Sequence, residues 1–576
     1  MQKKIVFGFL LVLFLAWTAW AAAPIMPLSE VKPGMKGIAK TVIHGEEITT
    51  FDVKILDILP GNKEKNELIL IKVSGPVIEK TGGIASGMSG SPVYINGRII
   101  GAIGYGFELS DHRIGMVTPI EYMLKVGRLA DKITPAANNR IKPLAAPLLV
   151  NGLSSRALAN LAESLEPLNL KVMQGSGSGS VTTKGKLQPG SAVGVQLAKG
   201  YIEAGAVGTV SYVDGNNILA FGHSFLNKGS IDFPLSTAYV HQVISNLASP
   251  FKLASNGQTV GRMLQDRTAG VAGRLKEEAP LTLVRLQVTD HDMGKTARTY
   301  FEVVKDQDLA VPLITSGLLG LMDNSLDRRG KGTSKVSFSF KGSNLAEGLV
   351  ARENMFYSDS DIAAVSLLEA SEVLNMIVNN VYQEADLEEI TVKVDVEERR
   401  RTATVQKAEA KQKTVKPGGK LDIEVTYVPY RDKELVKIMS VDIPKDMPEG
   451  ELNLNVYGGN LPPVEIAKID LSNAAMITPA PLPYNNLGEM LTDFLQTDKN
   501  NEIIIEEMRP AAKADEVKTE RKEEAGKKMA LGELRDDTAK LILPVKGVES
   551  GNKIKSTWAS HYIMEGYANV SVMVKK

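Results

Sequence analysis

A serine flanked by glycines stands at residues 87–92, in the order Gly-Met-Ser-Gly-Ser-Pro. Glycines on both sides let the backbone bend tightly enough to aim neighbouring amide groups at one point, as an oxyanion hole requires. Such a loop would present Ser89 as a nucleophile for acyl transfer, given a base within hydrogen-bond reach. A glycine-rich β-turn with an incidental serine has the same local sequence, so the surrounding residues have to decide between the two.

Two of the six histidines stand where a base for this serine could lie. His223 follows the apolar run and glycine at 219–222, and His44 ends the apolar run at 42–43 beside another glycine. A histidine at a strand end can face a cleft, but it can equally be a structural residue hydrogen-bonded in a loop. The local sequence leaves both histidines open. The others lie in polar or helical contexts: His112, His241, His291 and His561.

The composition excludes several kinds of chemistry. The chain has no cysteine, which excludes disulfides, thiol catalysis and a lipidated N-terminal cysteine. The 67 Lys and Arg residues balance 67 Asp and Glu residues, so the formal net charge of zero argues against a nucleic-acid partner. The histidines show neither a paired helical spacing nor an H-E-x-x-H pattern. We therefore predict no metal site and no cofactor.

The N-terminus has the three parts of a secretory signal peptide. Two lysines at 3–4 precede an apolar run at 5–17, and alanines at 19 and 21 mark the expected cleavage site. The run is shorter than the ~20 residues that cross a bilayer, and we find no second segment of that length and apolarity. We therefore expect a mature protein exported to the periplasm, the cell envelope or the medium, with no stable transmembrane anchor after cleavage.

Short apolar runs separated by glycine and proline predict a mainly β chain. The expected strands are 51–59, 68–73, 93–95, 99–103, 206–213, 281–288, 297–304, 390–396, 401–408, 421–428, 451–457, 539–543 and 569–574. Asn96-Gly97 predicts a type I′ turn between the third and fourth of them. The expected helices are 121–124, 154–165, 234–247 and one running from an N-cap at Ser360 toward 378.

The residues around the serine are similar to those of a known peptidase family. The segments 80–102 and 115–124 resemble the nucleophile region of the SpoIVB-type serine peptidases, the stage IV sporulation peptidases of the chymotrypsin-like clan. Residues 48–55 resemble the family's strand before the serine, and 206–214 with 219–223 resemble the block that carries its catalytic histidine. A further strand pair of the family resembles 260–263 with 270–273, so the resemblance covers roughly residues 30–290.

The resemblance implies roles for individual residues. Ser89 would be the nucleophile and His223, rather than His44, the general base, with the backbone amides of Gly87 and Ser89 lining the oxyanion hole. The family's fold implies a chymotrypsin-like double β-barrel. Because Ser89 precedes His223 here and the family has the opposite order, the two halves would be circularly permuted. Triad geometry does not depend on chain order, so permutation does not forbid catalysis.

The acid of the triad departs from the family pattern. Fifteen residues before the serine, where the family carries its aspartate, this chain has Ser74. A hydroxyl can orient an imidazole but cannot stabilise an imidazolium as a carboxylate does, and losing the acid lowers rates by about ten-thousandfold. Asp214, Asp232 and Asp266 are the open substitutes.

With the resemblance, the chain divides into seven segments. They are a signal peptide (1–21), a serine half of the peptidase domain (24–137), a connector with a Gly/Ser linker at 175–180 (138–190), a histidine half (191–345), a helical segment (346–388), an immunoglobulin-like β-sandwich (389–475) and a C-terminal extension with a charged linker at 510–540 (476–576).

Three functions compete on these grounds. The first is an exported serine endopeptidase that cuts itself or a few protein substrates. The second is a weak or inactive pseudo-peptidase that serves as an envelope scaffold or binding protein, which Ser74 and the long C-terminal extension favour. The third is an adhesin or polymer-binding protein acting through the sandwich, against which the aromatic content of 6% argues mildly. We place the endopeptidase first.

Overall fold

The computed structural model describes most of the chain, and the described part is mainly β. Strands account for 51% of the residues and helices for 17%, which confirms the predicted class. The described residues are 23–61, 66–107, 109–129, 147–175, 181–246, 248–343, 345, 348–460, 484–507 and 554–576. The predicted signal peptide, the charged linker, the strand at 539–543 and nearly all of the Gly/Ser linker lie outside them.

The chain forms two compact units. Unit 1 comprises residues 1–286, 298–325 and 386–391, and unit 2 comprises 287–297, 326–385 and 392–576. Ser89 and His223 both belong to unit 1.

The first six strands close into a barrel, called barrel 1 here. Its strands are β1 (Lys36–Val42), β2 (Ile48–Leu59), β3 (Leu68–Ser74), β4 (Pro92–Ile95), β5 (Arg98–Gly106) and β6 (Ile114–Pro119), in the order β1-β2-β3-β6-β5-β4. The apolar residues of β2 alternate toward the core, where Phe51, Val53 and Ile55 are buried. The φ angles of +50° at Asn96 and +76° at Gly97 confirm the predicted type I′ turn.

Short helices and two short strands accompany and follow barrel 1. They are a 3-10 helix (Leu28–Glu30), α1 (Pro76–Thr81), α2 (Ile120–Arg128), β7 (Leu148–Asn151), α3 (Ser155–Leu165), a second 3-10 helix (Glu166–Leu168) and β8 (Val172–Gln174). The predicted helices near 121–124 and 154–165 are confirmed as α2 and α3. The hydroxyl of Ser154 caps α3 by accepting from the amide of Ala157.

Six later strands of unit 1 also form a closed ring, called barrel 2. They are β9 (Ala192–Gly200), β10 (Glu203–Asp214), β11 (Asn217–Ala220), β12 (Gly229–Ile244), β13 (Phe251–Arg267) and β14 (Gly270–Leu275). They pair in the order β9-β12-β13-β14-β11-β10, and the pairing of β10 with β9 closes the ring. β10 also pairs with β7, which in turn pairs with β8. Two six-stranded rings are compatible with a chymotrypsin-like double barrel.

The helix predicted at 234–247 is wrong, because these residues form most of β12. β12 is a 16-residue strand that pairs with β13 over nearly its whole length and with β9 at residues 235–237. Pairing on both edges satisfies the backbone groups, and β-branched and aromatic residues such as Thr237, Tyr239 and Val240 suit a strand. Tertiary pairing overrides the local helical pattern.

Unit 1 also contains an apolar helix. The elements after barrel 2 are β15 (Leu281–Asp290), β16 (Lys295–Val304) and α4 (Gln307–Leu326). In the described part of the chain, α4 is the one helix long and apolar enough to cross a membrane by length and composition. It contradicts our expectation that no second segment has these properties, but 67% of its most apolar stretch is buried inside the structure, as in a core helix.

In its described residues, unit 2 is built on a hairpin, three helices and a large sheet. Its elements are β17 (Gly332–Gly342), β18 (Leu349–Ser358), α5 (Ile362–Val365), α6 (Leu368–Val378), β19 (Leu387–Glu397, which begins in unit 1), β20 (Thr402–Ala410), β21 (Thr414–Val415), β22 (Lys420–Pro429), β23 (Leu435–Asp442), β24 (Gly450–Gly458), α7 (Leu487–Leu495), β25 (Glu502–Glu507), β26 (Lys555–Ala559) and β27 (Ile563–Val574). Asp361, not Ser360, caps α5.

The eight-stranded sheet of unit 2 combines strands from both sides of residue 475. Its order is β23-β22-β20-β27-β24-β25-β26, with β21 beside β27, and β20 pairs with β27 in parallel. The strands predicted at 390–396, 401–408, 421–428 and 451–457 are present as β19, β20, β22 and β24. The immunoglobulin-like sandwich at 389–475 stays a prediction.

Candidate active site

The loop that carries Ser89 is a buried, tightly bent segment between α1 and β4. Gly87 and Gly90 both have φ near +92°, a left-handed conformation that favours glycine. The amide of Met88 donates to the carbonyl of Ala85 at 2.8 Å, and that of Gly90 donates to Ile103 on β5 at 2.7 Å. These bonds hold the nucleophile loop of the predicted motif against barrel 1.

Two amides of this loop are oriented by hydrogen bonds to the carbonyls on the same peptide planes. The carbonyl of Ser86 accepts from the amide of Lys252 at 2.9 Å, and the carbonyl of Met88 accepts from Ser91 through its amide at 3.0 Å and its hydroxyl at 2.6 Å. Since the carbonyl and amide of a trans peptide point in opposite directions, the N–H groups of Gly87 and Ser89 face the other side. Among the described residues, neither of these two amides donates to an acceptor.

The loop that carries His223 begins where β11 ends. Phe221 and Gly222 both have positive φ, and the hydroxyl of Thr118 donates to the carbonyl of Gly222 at 2.5 Å. The His223 ring lies 6.0 Å from the ring of Phe221 and 6.2 Å from that of Tyr105, between centroids. These contacts bury the imidazole, which is 1% exposed.

The hydrogen bond of the His223 ring determines its tautomer. Nδ1 lies 2.6 Å from the carbonyl oxygen of Ser224. Because a carbonyl only accepts, Nδ1 carries the hydrogen, and in the neutral ring the accepting lone pair is on Nε2. That is the tautomer a general base needs when it takes a proton through Nε2.

Strand β10 joins the serine loop to barrel 2. The amide of Thr209 donates to the carbonyl of Ser89 at 2.8 Å, and its hydroxyl donates to that of Gly87 at 3.0 Å. The hydroxyl of Ser211 donates to Gly90 at 2.9 Å. A Cβ on Gly90 would lie 1.9 Å from the Thr209 oxygen and 2.6 Å from the amide nitrogen of Phe221. The structure therefore brings the serine loop against the strand and loop that lead to His223.

His44 lies elsewhere. It occupies the exposed turn between β1 and β2, where its Nδ1 pairs with the carbonyl of His241 at 2.9 Å and its ring faces Tyr239 at 6.3 Å. Its surroundings are those of a hydrogen-bonded loop histidine.

Comparison with protein families identifies the first part of this site. Residues 5–124 match the model of the family described as SpoIVB peptidase S55. Over these residues the chain is similar to the SpoIVB peptidase S55 family, as the resemblance around Ser89 predicted. The match supports a serine peptidase of SpoIVB type, a hydrolase whose substrates are proteins or peptides. Comparisons with curated proteins and with solved structures give no match. The matched SpoIVB region contains Ser89, barrel 1 and the start of α2, and it ends before His223.

Three of the four candidate positions for a triad acid are exposed or paired with another residue. Ser74 is exposed at the end of β3, opposite Asp52 on β2. Asp214 is exposed at the turn between β10 and β11. The carboxylate of Asp232 pairs with Arg262 at 3.1 Å, and partial burial raises its pKa.

Asp266 is the candidate that lies beneath the histidine loop. Its carboxylate accepts from the amides of Phe225 and Leu226, each at 2.6 Å, and from Lys228 at 3.4 Å. Burial raises the pKa of this carboxyl, while the bonds from backbone amides oppose the rise. Asp266 thus holds the segment directly after His223, whereas the ring itself bonds to the Ser224 carbonyl.

One ionisable residue of the site was missed by the sequence reasoning. Lys252, on β13, is 2% exposed and packs beside Gly87 of the SpoIVB motif. Burial lowers the pKa of its amine to about 7. The sequence signal that could have revealed Lys252 is its position between the apolar residues Phe251 and Leu253, which predicts a buried lysine. Among the described residues no cluster of three or more His, Asp or Glu side chains could hold a metal ion.

Proposed function

We propose that this protein is an exported serine endopeptidase of the SpoIVB type, with Ser89 as nucleophile and His223 as general base. The observation that carries the proposal is the surroundings of the Ser89 hydroxyl. It is fully buried and has no hydrogen-bond partner in the described part of the chain, in a loop joined by β10 to the strand and loop of His223. A buried hydroxyl without a hydrogen-bond partner costs stability, and a role in function explains why the protein keeps it.

The chemistry follows from these positions. Ser89 Oγ attacks the peptide carbonyl carbon while its proton passes to Nε2 of His223, and the amides of Gly87 and Ser89 stabilise the resulting oxyanion. The imidazolium then protonates the leaving amine as the C–N bond breaks, which leaves an acyl-enzyme. Water attacks the ester with His223 again as base, releasing the acid and restoring the serine hydroxyl.

The support for the imidazolium differs from that in a triad. The carbonyl of Ser224 accepts from Nδ1, and Asp266 acts one step away, by holding the loop after His223. A carbonyl dipole stabilises a cation less than a carboxylate does, so turnover should be slow relative to enzymes with a complete triad. Slow turnover suits cleavage of the protein itself or of a few partners.

The proposed peptidase would have a permuted double-barrel fold. Barrel 1 carries the nucleophile and barrel 2 carries the base, the reverse of the order that the family resemblance implies. The two closed rings of six strands support this assignment. The apolar N-terminal run supports export to the periplasm, the envelope or the medium.

Labelling with a fluorophosphonate, which reacts with an activated serine, tests the proposal. We expect stoichiometric labelling of the wild type on Ser89, none of S89A, and labelling at least about 100-fold slower in H223Q. The exposed Ser110 provides a matched control, so S110A should be labelled like the wild type. Equal labelling of the wild type and S89A would refute the proposal.

A second candidate, a pseudo-peptidase that serves as an envelope scaffold or binding protein, has one observation in its favour. Ser89 is fully buried and His223 is 1% exposed, so neither residue is open to solvent in this structure. In this case the wild type would bind its partner, and neither labelling nor peptide hydrolysis would depend on Ser89.

A further inference from the structure

A buried lysine lies against the serine loop without a carboxylate. Lys252 Nζ lies 3.1 Å from the hydroxyl of Thr41 on β1 and 3.2 Å from that of Thr209 on β10. The aliphatic part of its side chain covers Gly87, where a Cβ would come within 3.1–3.2 Å of three lysine carbons. Burying a cation without a charged partner is expensive, so this placement calls for an explanation.

Lys252 acts on two successive peptide planes of the nucleophile loop. Its backbone amide donates to the carbonyl of Ser86 and so orients the amide of Gly87. Its side chain donates to Thr209, whose hydroxyl proton goes to the carbonyl of Gly87. A chain of two hydrogen bonds therefore connects the amine to the loop that presents Ser89.

The charge of the amine follows from what surrounds it. Among the described residues, Lys252 contacts the hydroxyls of Thr41 on β1 and Thr209 on β10 and packs against Gly87, and its register partner on β12 is Val243. None of these four residues ionises. A neutral amine has two N–H donors, which match the two hydroxyl acceptors. Protonation would add a third donor and a buried charge that no described carboxylate compensates, in keeping with the lowered pKa.

We propose that Lys252, as a neutral amine, is a positioning residue that holds the Ser86–Met88 segment in the shape that forms the oxyanion hole. This inference rests on the proposed peptidase function and adds a second requirement to it. His223 must be neutral to accept a proton, and Lys252 must be neutral to keep the loop in place. Two groups must therefore lose a proton before Ser89 reacts.

The test is the pH dependence of fluorophosphonate labelling in the full-length mature protein. At low pH, where both groups hold a proton, the logarithm of the wild-type rate should rise by two per pH unit, and that of K252M by one, because methionine does not titrate. At pH 8 we expect K252M to react about 10-fold more slowly, since the link through Thr209 is lost. K252R, charged at every pH, should stay at least 10-fold slow throughout.

Controls separate the possible failures. The exposed Lys72 on β3 provides the matched variant K72M, which should follow the wild-type profile, and circular dichroism at each pH verifies the fold. If the wild type is not labelled on Ser89, the proposed function fails. If the wild type is labelled and K252M keeps its rate and its slope of two, the role of Lys252 alone is refuted.

Discussion

Replacing Lys252 by methionine should make the protein more stable at neutral pH while it impairs the site. Methionine has a similar length and leaves no charge to bury. The fall of the lysine pKa from 10.5 to about 7 on folding corresponds to roughly 4 kcal/mol of destabilisation at pH 7.5, at about 1.4 kcal/mol per pKa unit. Loss of the hydrogen bonds to Thr41 and Thr209 offsets this gain by about 1 kcal/mol for each bond. The net gain at pH 7.5 should be roughly 2 kcal/mol.

The pH dependence of this gain is the sharper signature. Between about pH 7 and 10.5 the unfolded lysine holds a proton that the folded one has lost, so the free energy of unfolding of the wild type rises with pH in this window. The contribution of the lysine falls from roughly 4 kcal/mol of destabilisation at pH 7.5 to roughly 1 kcal/mol at pH 9.5. The advantage of K252M should therefore shrink by roughly 2 to 3 kcal/mol across these two pH units and vanish near the upper end.

Equilibrium urea denaturation followed by circular dichroism measures this difference. Comparing wild type and K252M at the same pH cancels the titration of every other group. Lys72 is exposed, so K72M should track the wild type throughout. A difference between wild type and K252M that stays constant from pH 7.5 to 9.5 would refute the reasoning, because it would mean that the folded lysine keeps an ordinary pKa.

Three further predictions concern packing and charge. G90A should lose more than about 3 kcal/mol of stability, because its Cβ would meet backbone atoms of barrel 2 at 1.9 and 2.6 Å. G97A, whose Cβ would have nothing within 4 Å, should lose about 1 kcal/mol. Similar melting temperatures for the two variants would contradict this prediction. D266N should lower the free energy of unfolding by about 2 to 4 kcal/mol and slow the labelling of Ser89 more than 10-fold. D214N, at an exposed turn, should stay within about 0.5 kcal/mol of the wild type in urea titrations. If D266N is labelled as fast as the wild type, Asp266 has no role in the site. R352M should lower the stability of unit 2 by about 3 to 5 kcal/mol, because the Arg352 side chain is 2% exposed and paired with the Glu369 carboxylate. The labelling of Ser89 should be unchanged. A smaller loss of stability in fluorescence-detected unfolding would mean that the ion pair is solvated.

Local patterns in the sequence predicted most of the elements that surround the site. Alternation in β2 and the Asn-Gly turn after β4 are local, because side-chain period and turn chemistry depend on a few neighbouring residues. The helix expected at 234–247 was wrong because this stretch of β12 pairs with residues 7 to 28 positions away on β13 and 40 to 44 positions away on β9. Long-range pairing of this kind leaves no trace in local periodicity.

The sequence by itself determined the glycine-flanked serine motif, the similarity of residues 5–124 to the SpoIVB peptidase S55 family and the mainly β class. Each of these depends on residue types at fixed short spacing. Only the tertiary structure decided which distant residues surround the motif. It joined the serine loop to Thr209, placed Asp266 beneath the histidine loop and put the amine of Lys252 against Gly87. These contacts bridge 40 to 165 residues of chain and arise from the closure of two barrels, which no local pattern encodes.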